Sequence, residues 1–369
     1  MNVAIIVGTR PEAIKMAPVY LAMKNDSRID VKLIATAQHR QMLDQVLDVF
    51  GIRSDIDLNI MKHNQTLAEL SSVLITEVQK SLAQLKPDAV LVHGDTATCL
   101  CSAIAAFYEK IPVGHVEAGL RTYDFNAPWP EEMNRRLVDP ISRWCFAPTI
   151  SAADNLYAER IPRENVFITG NTVVDALYLA RDIVQNNKPA IATELESELS
   201  NKKMILVTGH RRESFGKPFQ EFCRALRELV EIHQDAVVVY PVHLNPNVQK
   251  PVYEILGGHP RIKLIEPIEY LPFIYLMDKS HIIITDSGGI QEEAPSFHKP
   301  VLVTRTITER PEAVESGLAK LVGTSREKII EEASSLLTDD NIYAAMSHGQ
   351  NPYGDGKASE KIIETLLLS

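Results

Sequence analysis

Along the chain, short apolar runs alternate with longer stretches in which apolar residues recur every three or four positions. The runs predict buried strands, and the longer stretches predict amphipathic helices. In the first half the runs fall at residues 3–7, 31–35, 89–92, 113–116, 143–147 and 166–168. Helices are predicted between them at 11–24, 38–50, 66–85 and 96–108. After Gly170 a helix from about Val173 to Val184 leads into a charged stretch, Asn186 to Lys203, that reads as a linker. The alternation then restarts, with runs at 204–207, 237–242, 262–265, 281–285, 301–303 and 320–322. A turn-rich break, Pro352-Tyr353-Gly354-Asp355-Gly356, precedes a last helix at 358–367. Such alternation predicts βαβ units, hence an α/β protein with two Rossmann-like domains facing a cleft. The expected boundaries are 1–170 for the first domain, 171–355 for the second and 356–369 for the C-terminal helix.

A length of 369 residues suits two domains of this kind. The net charge of −10 argues against a broad electrostatic footprint for nucleic acid, though it leaves room for local basic pockets. Met1 to Val7 is too short for a signal peptide, and no stretch is long enough to cross a bilayer. Cys99, Cys101, Cys145 and Cys223 have neither disulfide nor zinc spacing. Buried free thiols in a reducing cytoplasm are the expectation.

Candidate chemistry gathers at the ends of the predicted strands. Ile282–Thr285 is followed by Asp286-Ser287-Gly288-Gly289 and then Ile290-Gln291-Glu292-Glu293-Ala294. This reads as a strand, a Ser-Gly-Gly turn and a helix with acids in its first turn. Glycines admit close backbone approach, and the unpaired N–H groups of a helix start suit a diphosphate. Glu293, about one turn further in, could accept hydrogen bonds from a ribose diol. The alternative is an ordinary βα turn whose acids complement the helix dipole. Gly8-Thr9-Arg10-Pro11-Glu12 is not G-x-G-x-x-G, which disfavours NAD. Arg10 and Lys15 put two cations near the same strand's end, either against a diphosphate or in solvent.

His93-Gly94-Asp95 and His115-Val116-Glu117 each end a strand, and residues two apart in a strand share a face. Asp95 and Glu117 are therefore expected to face one crevice. Glu131, in Pro130-Glu131-Glu132-Met133-Asn134-Arg135-Arg136, adds a third acid at a helix start. A metal site built from His93, Asp95, His115 and Glu117 is the rival reading. Thr208-Gly209-His210-Arg211-Arg212-Glu213 places a histidine and two arginines at another strand end, suited to proton transfer or phosphate pairing.

Together with His115-Val116-Glu117-Ala118-Gly119-Leu120-Arg121 and Thr308-Glu309-Arg310-Pro311-Glu312, these motifs occur in an order that closely resembles the bacterial non-hydrolysing UDP-N-acetylglucosamine 2-epimerases. The resemblance runs from Val3 to about Ser359. It implies a GT-B-like fold, with UDP on the second domain and the C-terminal helix packed back on the first. Arg10, Lys15, His210, Ser287, Gly288, Gly289 and Glu293 match positions that contact UDP, with Glu293 at the ribose. Asp95, Glu117 and Glu131 match the carboxylates tied to catalysis, and His210 is implicated as well. Arg310 matches an arginine near the cleft. Gln38, Gln41, Gln65, Glu131, Arg211 and His243 match a second UDP-N-acetylglucosamine site that activates the enzyme. Departures from the pattern are Gly209 for Ala, Ser214 for Asn, Arg305-Thr306 for Arg-Asp, and Asn64 where a related sequence has Arg; Asn64 predicts weaker activation.

The implied reaction is reversible conversion of UDP-N-acetylglucosamine to UDP-N-acetylmannosamine through elimination of UDP to a 2-acetamidoglucal and re-addition. No metal, nicotinamide or flavin is required. A cytoplasmic homodimer that feeds polysaccharide synthesis and engages neither membrane nor nucleic acid is expected. The alternatives are an epimerase of a related UDP-diacetamido sugar, a GT-B glycosyltransferase that needs an acceptor, a hydrolysing relative, and a non-catalytic nucleotide-sugar sensor.

Overall fold

A strand buried on both faces reads as a continuous apolar run, and the strongest runs of this chain are such strands. The computed structural model describes residues 1–36, 40–61, 64–211, 214–308 and 310–368, with the side chains at 40–42 and 197 outside the description. The chain divides into two units. The first comprises Met1–Leu179 and Tyr353–Ser369. Its strands are β1 (Asn2–Val7), β2 (Asp30–Ala35), β3 (Ile56–Asp57), β4 (Ala89–His93), β5 (Val113–Val116), β6 (Trp144–Ala147) and β7 (Val166–Ile168). They pair in parallel in the order β3-β2-β1-β4-β5-β6-β7. The connecting helices are α1 (Arg10–Lys24), α2 (Arg40–Val49), α3 (Leu67–Leu85), α4 (Ala97–Tyr108), α5 (Glu131–Val138) and α6 (Ile150–Ala158). Helix α7 (Thr172–Asn186) leads out of the sheet.

The second unit, Ala180–Pro352, contains α8 (Ala190–Leu199) and a six-stranded sheet. Its strands are β8 (Lys203–Thr208), β9 (Ala236–Pro241), β10 (Ile262–Ile265), β11 (Ile282–Thr285), β12 (Val301–Val303) and β13 (Ala319–Leu321). They run parallel in the order β10-β9-β8-β11-β12-β13. Around them lie α9 (Lys217–Ile232), α10 (Pro246–Leu256), α11 (Tyr270–Lys279), α12 (Gly288–Glu293), α13 (Pro311–Glu315), α14 (Arg326–Thr338) and α15 (Asp340–Ser347). The core packs α9, α10 and α14 on this sheet through Phe222, Leu226, Leu229, Val252 and Ile329.

Both sheets have the Rossmann order, so the α/β reading with two Rossmann-like units holds. Two local expectations change. The stretch read as a linker contains α8: Ala192 and Leu195 lie on one face of good helix formers and are buried, while the glutamates that suggested a linker face solvent. The helix after the Ser-Gly-Gly turn starts on Gly288 itself, so Glu292 and Glu293 fall at its end and no acid lies in its first turn. Among the described residues, no helix is long and apolar enough to cross a membrane.

Strand order reverses between β1 and β4 in the first sheet and between β8 and β11 in the second. At such a switch point adjacent crossovers leave on opposite faces and open a crevice beyond the strands' carboxyl ends. Thr9 and Asp95 follow one pair of strands; His210 and Ser287 follow the other.

The last helix, α16 (Ala358–Leu368), belongs to the first unit and packs against α1. Its start is capped from far away in sequence: the buried Asp175 carboxylate accepts the backbone N–H of Ala358 at 3.2 Å and of Ser359 at 2.8 Å. Thr169 and Asn171 add to the anchor, since the Thr169 carbonyl accepts from Lys361 Nζ at 3.2 Å and Asn171 N–H donates to the Tyr353 carbonyl at 2.6 Å. Asp175→Ala is expected to cost about 1–2 kcal/mol, the scale of a lost N-cap. Urea unfolding measures that loss, and hydrogen exchange should speed up in residues 358–368 before the rest of the unit. Exchange that speeds up uniformly would count against a local cap.

Candidate functional site

At the first switch point the acids arrive through turns, not through the strand pleat. Strand β4 ends at His93, and Gly94 then takes φ +70°; β5 ends at Val116, and Glu117 takes φ +68°. The left-handed region favours glycine, and a glutamate held there carries backbone strain of about 1–3 kcal/mol. The turn separates Glu117 from His115, although the two were expected to share a face. His115 points into the unit: Nδ1 lies 2.6 Å from Asp139 Oδ1 and Nε2 lies 2.7 Å from the Gly94 carbonyl. Asp139 is itself paired with Arg121 at 2.6 Å. His115 thus braces the turn that carries Asp95.

Glu117 is buried among donors. Lys15 Nζ donates to Oε1 at 2.5 Å, Asn171 Nδ2 donates to the same oxygen at 2.9 Å, and His93 Nε2 lies 3.2 Å from Oε2. Burial alone would raise this carboxyl, but Lys15 and then His93 outweigh it and hold Glu117 well below the usual carboxylate range. Lys15 is therefore the counter-ion of an acid and not a solvated charge, while Arg10, at the start of α1, is exposed. Asp95 has the opposite character. Burial pushes its carboxyl up; Arg135, with NH1 at 3.3 Å, opposes the rise, and the charges of Glu117 and Glu131 reinforce it. Glu131 is the first residue of α5 and is half-buried. One crevice thus brings together a fixed anion, a carboxyl with raised proton affinity and a third acid. Among the described residues no group of three or more His, Cys, Asp or Glu is arranged to hold a metal ion.

The second switch point is built around Asp286. This buried carboxylate accepts the backbone N–H of His210 at 2.7 Å and of Arg211 at 2.8 Å, which fixes the turn after β8. Tyr240 OH donates to the Gly209 carbonyl at 2.7 Å, and Thr208 Oγ1 meets Thr285 Oγ1 at 2.6 Å across the strands. The half-exposed His210 ring stacks on His243, with centroids 5.1 Å apart and planes 9° apart. His210, His243 and Ser287 line a cavity of about 200 Å³ whose apolar walls are Pro241, Pro267, Ile268, Phe273 and Ile290. At Gly288 a Cβ would meet nothing within 4 Å, and at Gly289 only the Ser287 hydroxyl at 4.0 Å. The protein's own packing therefore does not require these glycines, and the space beside them is open. Glu292 is buried and paired with Arg310, whose position is set by that contact. Glu293 is half-buried at the end of α12.

Of the remaining candidates, Gln41 lies in α2 with its side chain outside the description, and Gln65 lies just before α3. Gln38 is outside the described residues, as are Arg212, Glu213 and Glu309 of the motifs. Sequence reasoning missed Asn171, Arg135 and Asp286 as groups that organise the site, and Ile268 and Phe273 as pocket walls. Asp286 stood inside a motif already noted, and an acid directly after a buried strand was its signal. Asn171 and the apolar walls carried none.

The fold and these two crevices define a two-unit, GT-B-like class of Rossmann protein. The family profile described as UDP-N-acetylglucosamine 2-epimerase matches residues 21–367. The UDP-N-acetylglucosamine 2-epimerase of Escherichia coli K12 is 54% identical over 374 residues, spanning 99% of this chain and 98% of that protein. A crystal structure of the Neisseria meningitidis UDP-GlcNAc 2-epimerase bound to UDP-GlcNAc superposes with a TM-score of 0.87 at 51% identity, covering 100% of both chains. The Methanocaldococcus jannaschii enzyme in complex with UDP-GlcNAc and UDP gives a TM-score of 0.77 at 36% identity, also covering 100% of both chains. The chain belongs to the UDP-N-acetylglucosamine 2-epimerase family.

The Lys15–Glu117 pair yields a pH-dependent prediction. A carboxyl depressed in the folded state contributes stability above its ordinary value of 4.5 and loses that contribution as pH falls through the depressed value. Lys15→Met should therefore cost about 3–5 kcal/mol at neutral pH, the scale of a buried charge left unpaired. The deficit should shrink as the medium is acidified, because Glu117 can then take up a proton. Urea unfolding of both proteins across that range is the measurement, and a deficit that does not vary with pH would refute the pairing.

Proposed function

We propose that the protein interconverts UDP-N-acetylglucosamine and UDP-N-acetylmannosamine by inverting C2, without hydrolysis, through elimination and re-addition of UDP. The hydrogen at C2 is not next to a carbonyl, so it becomes acidic only as UDP departs from C1. The C2 proton passes to a carboxylate, the C1–O bond breaks, and UDP departs with the bonding electrons to leave a 2-acetamidoglucal. Delivery of a proton to the opposite face of C2 and return of UDP to C1 complete the inversion. The reaction needs an acid–base pair, an anion near the developing positive charge at C1, and a holder for the diphosphate.

The observation that carries this reading is the contrast between two acids at one switch point. Glu117, held by Lys15, Asn171 and His93, suits a constant negative charge. Asp95, whose proton affinity is raised by burial, suits proton exchange, with Glu131 as the third carboxylate. In the second unit, the apolar walls beside His210 suit a flat base. Ser287, Gly288, Gly289 and His210, with Arg10 of the first unit, are assigned to the diphosphate, Glu293 to the ribose, and Arg310 to binding of the UDP-sugar. A cytoplasmic homodimer belongs to the same reading; four free, buried cysteines support a reducing compartment. Activation by a second UDP-N-acetylglucosamine is assigned to Gln38, Gln41, Gln65, Glu131, Arg211 and His243. The stacking of His243 on His210 supports a link between a ligand at that site and the pocket.

Incubation with UDP-N-acetylglucosamine in deuterated water, followed by NMR, tests the reaction. UDP-N-acetylmannosamine carrying deuterium at C2 is expected, without accumulation of free sugar. Free N-acetylmannosamine would indicate hydrolysis instead, and unlabelled substrate after long incubation would remove the reading. Asp95→Asn, Glu117→Gln and Glu131→Gln should each lower turnover by about a hundredfold or more. UDP affinity, read by calorimetry, should change far less.

A further inference from the structure

The turn that carries Asp95 is fixed at its backbone. Gly94 N–H donates to the Val116 carbonyl at 3.0 Å, and the Asp95 carbonyl accepts from Asn134 Nδ2 at 2.7 Å. The carboxylate itself, about one third exposed, meets Arg135 NH1 at 3.3 Å. Arg135 in turn is gripped by Glu132, one helical turn earlier on α5, whose Oε2 lies 2.9 Å from Nε and 2.8 Å from NH2. Glu132 is completely buried, and it also accepts the backbone N–H of Thr122 at 3.1 Å and of Tyr123 at 3.0 Å. Both its oxygens are thus engaged, and its position is set by the main chain. A buried ion pair of this kind adds little net stability compared with apolar residues of the same volume. Its consequence is geometric: one guanidinium edge is committed to Glu132 and the other faces Asp95.

The charges around Asp95 give that edge a use. Glu117 and Glu131 disfavour an anion there, and Arg135 and His93 favour one. Lys15 serves Glu117, so Arg135 is the cation allotted to Asp95. We propose that Arg135, clamped by Glu132, is the positioning residue for Asp95, orienting its carboxylate and holding its negative charge beside two other acids. The proposal rests on the reaction proposed above, in which Asp95 exchanges the proton.

The test compares full-length wild type with Arg135→Met, Arg135→Lys and Glu132→Gln. Carboxyl-13C NMR of aspartate-labelled protein reports the titration midpoint of Asp95, whose resonance is assigned by its loss in Asp95→Asn. The pH dependence of kcat/KM is recorded in parallel. Removing a cation that favours the anion moves the midpoint upward, by about one to three pH units for an opposite charge at this range. The corresponding limb of the activity profile should move with it. Arg135→Lys should restore most of the shift, and Glu132→Gln, which loosens the clamp, should produce a smaller shift of the same sign. An unmoved midpoint in folded Arg135→Met overturns the proposal. If Arg135→Met does not fold, an unmoved midpoint in Glu132→Gln overturns it. A wild type that leaves UDP-N-acetylglucosamine unchanged, with the midpoint shifts present, would defeat the reaction and support the clamp.

Discussion

The ion pair between Lys15 and Glu117 is the interaction on which the first unit's chemistry depends. A glutamate at φ +68° with a buried carboxylate carries two costs, backbone strain and desolvation. The lysine offsets the second and ties the side chain in place against the first. Lys15 can do this only because α1 starts where it does. Glu12 fixes that start by accepting the N–H of Gly8 at 2.9 Å and of Thr9 at 2.7 Å, and it takes a third bond from Thr96 at the head of α4. A carboxylate unrelated to the reaction thus sets the register of the helix that supplies the counter-ion.

The second unit solves a parallel problem with the same topology. Both sheets reverse strand order at their fourth strand in space, and each crevice is organised by a buried acid. Asp286 gathers the amides of the turn across its crevice, whereas Glu12 gathers those of its own turn and reaches across the crevice only to the Thr96 hydroxyl. The difference lies in what surrounds the turn. Lys15, Asp95 and Arg135 make the first crevice a place of opposed charges. Phe273, Ile268 and Pro267 make the second an apolar slot with a polar rim.

Much of this was legible in the sequence, for a physical reason. Strands buried on both faces announce themselves as unbroken apolar runs, and parallel sheets put chemistry at strand ends, so Asp95, Glu117, His210 and Ser287 could be singled out. Two-residue β3 is too short to leave a pattern, and α8 was obscured by its own solvent-facing glutamates. The unforeseen parts are contacts between residues distant in the chain. Asn171 reaches Glu117 and Arg135 reaches Asp95; Asn171 lies in no motif, and the motif that holds Arg135 carries no sign of its partner. The left-handed turn at Glu117 was equally hidden, since a period-two reading assumes that the pleat continues.

The return of the final segment to the first unit has a bearing on how the protein is made. Asn171 holds Glu117 through its side chain, and its own backbone is held by Tyr353, while Asp175 waits for the amides of Ala358 and Ser359. A ribosome delivers all of the second unit before it delivers that segment. The first unit is therefore completed after the second, and the acid cluster acquires its full set of braces only once that segment has emerged. Without the segment after the second unit, Glu117 would keep Lys15 and His93 beside it, but Asn171 would lose its backbone anchor, so the order of synthesis ties one brace of an acid in the first unit to residues made after the second.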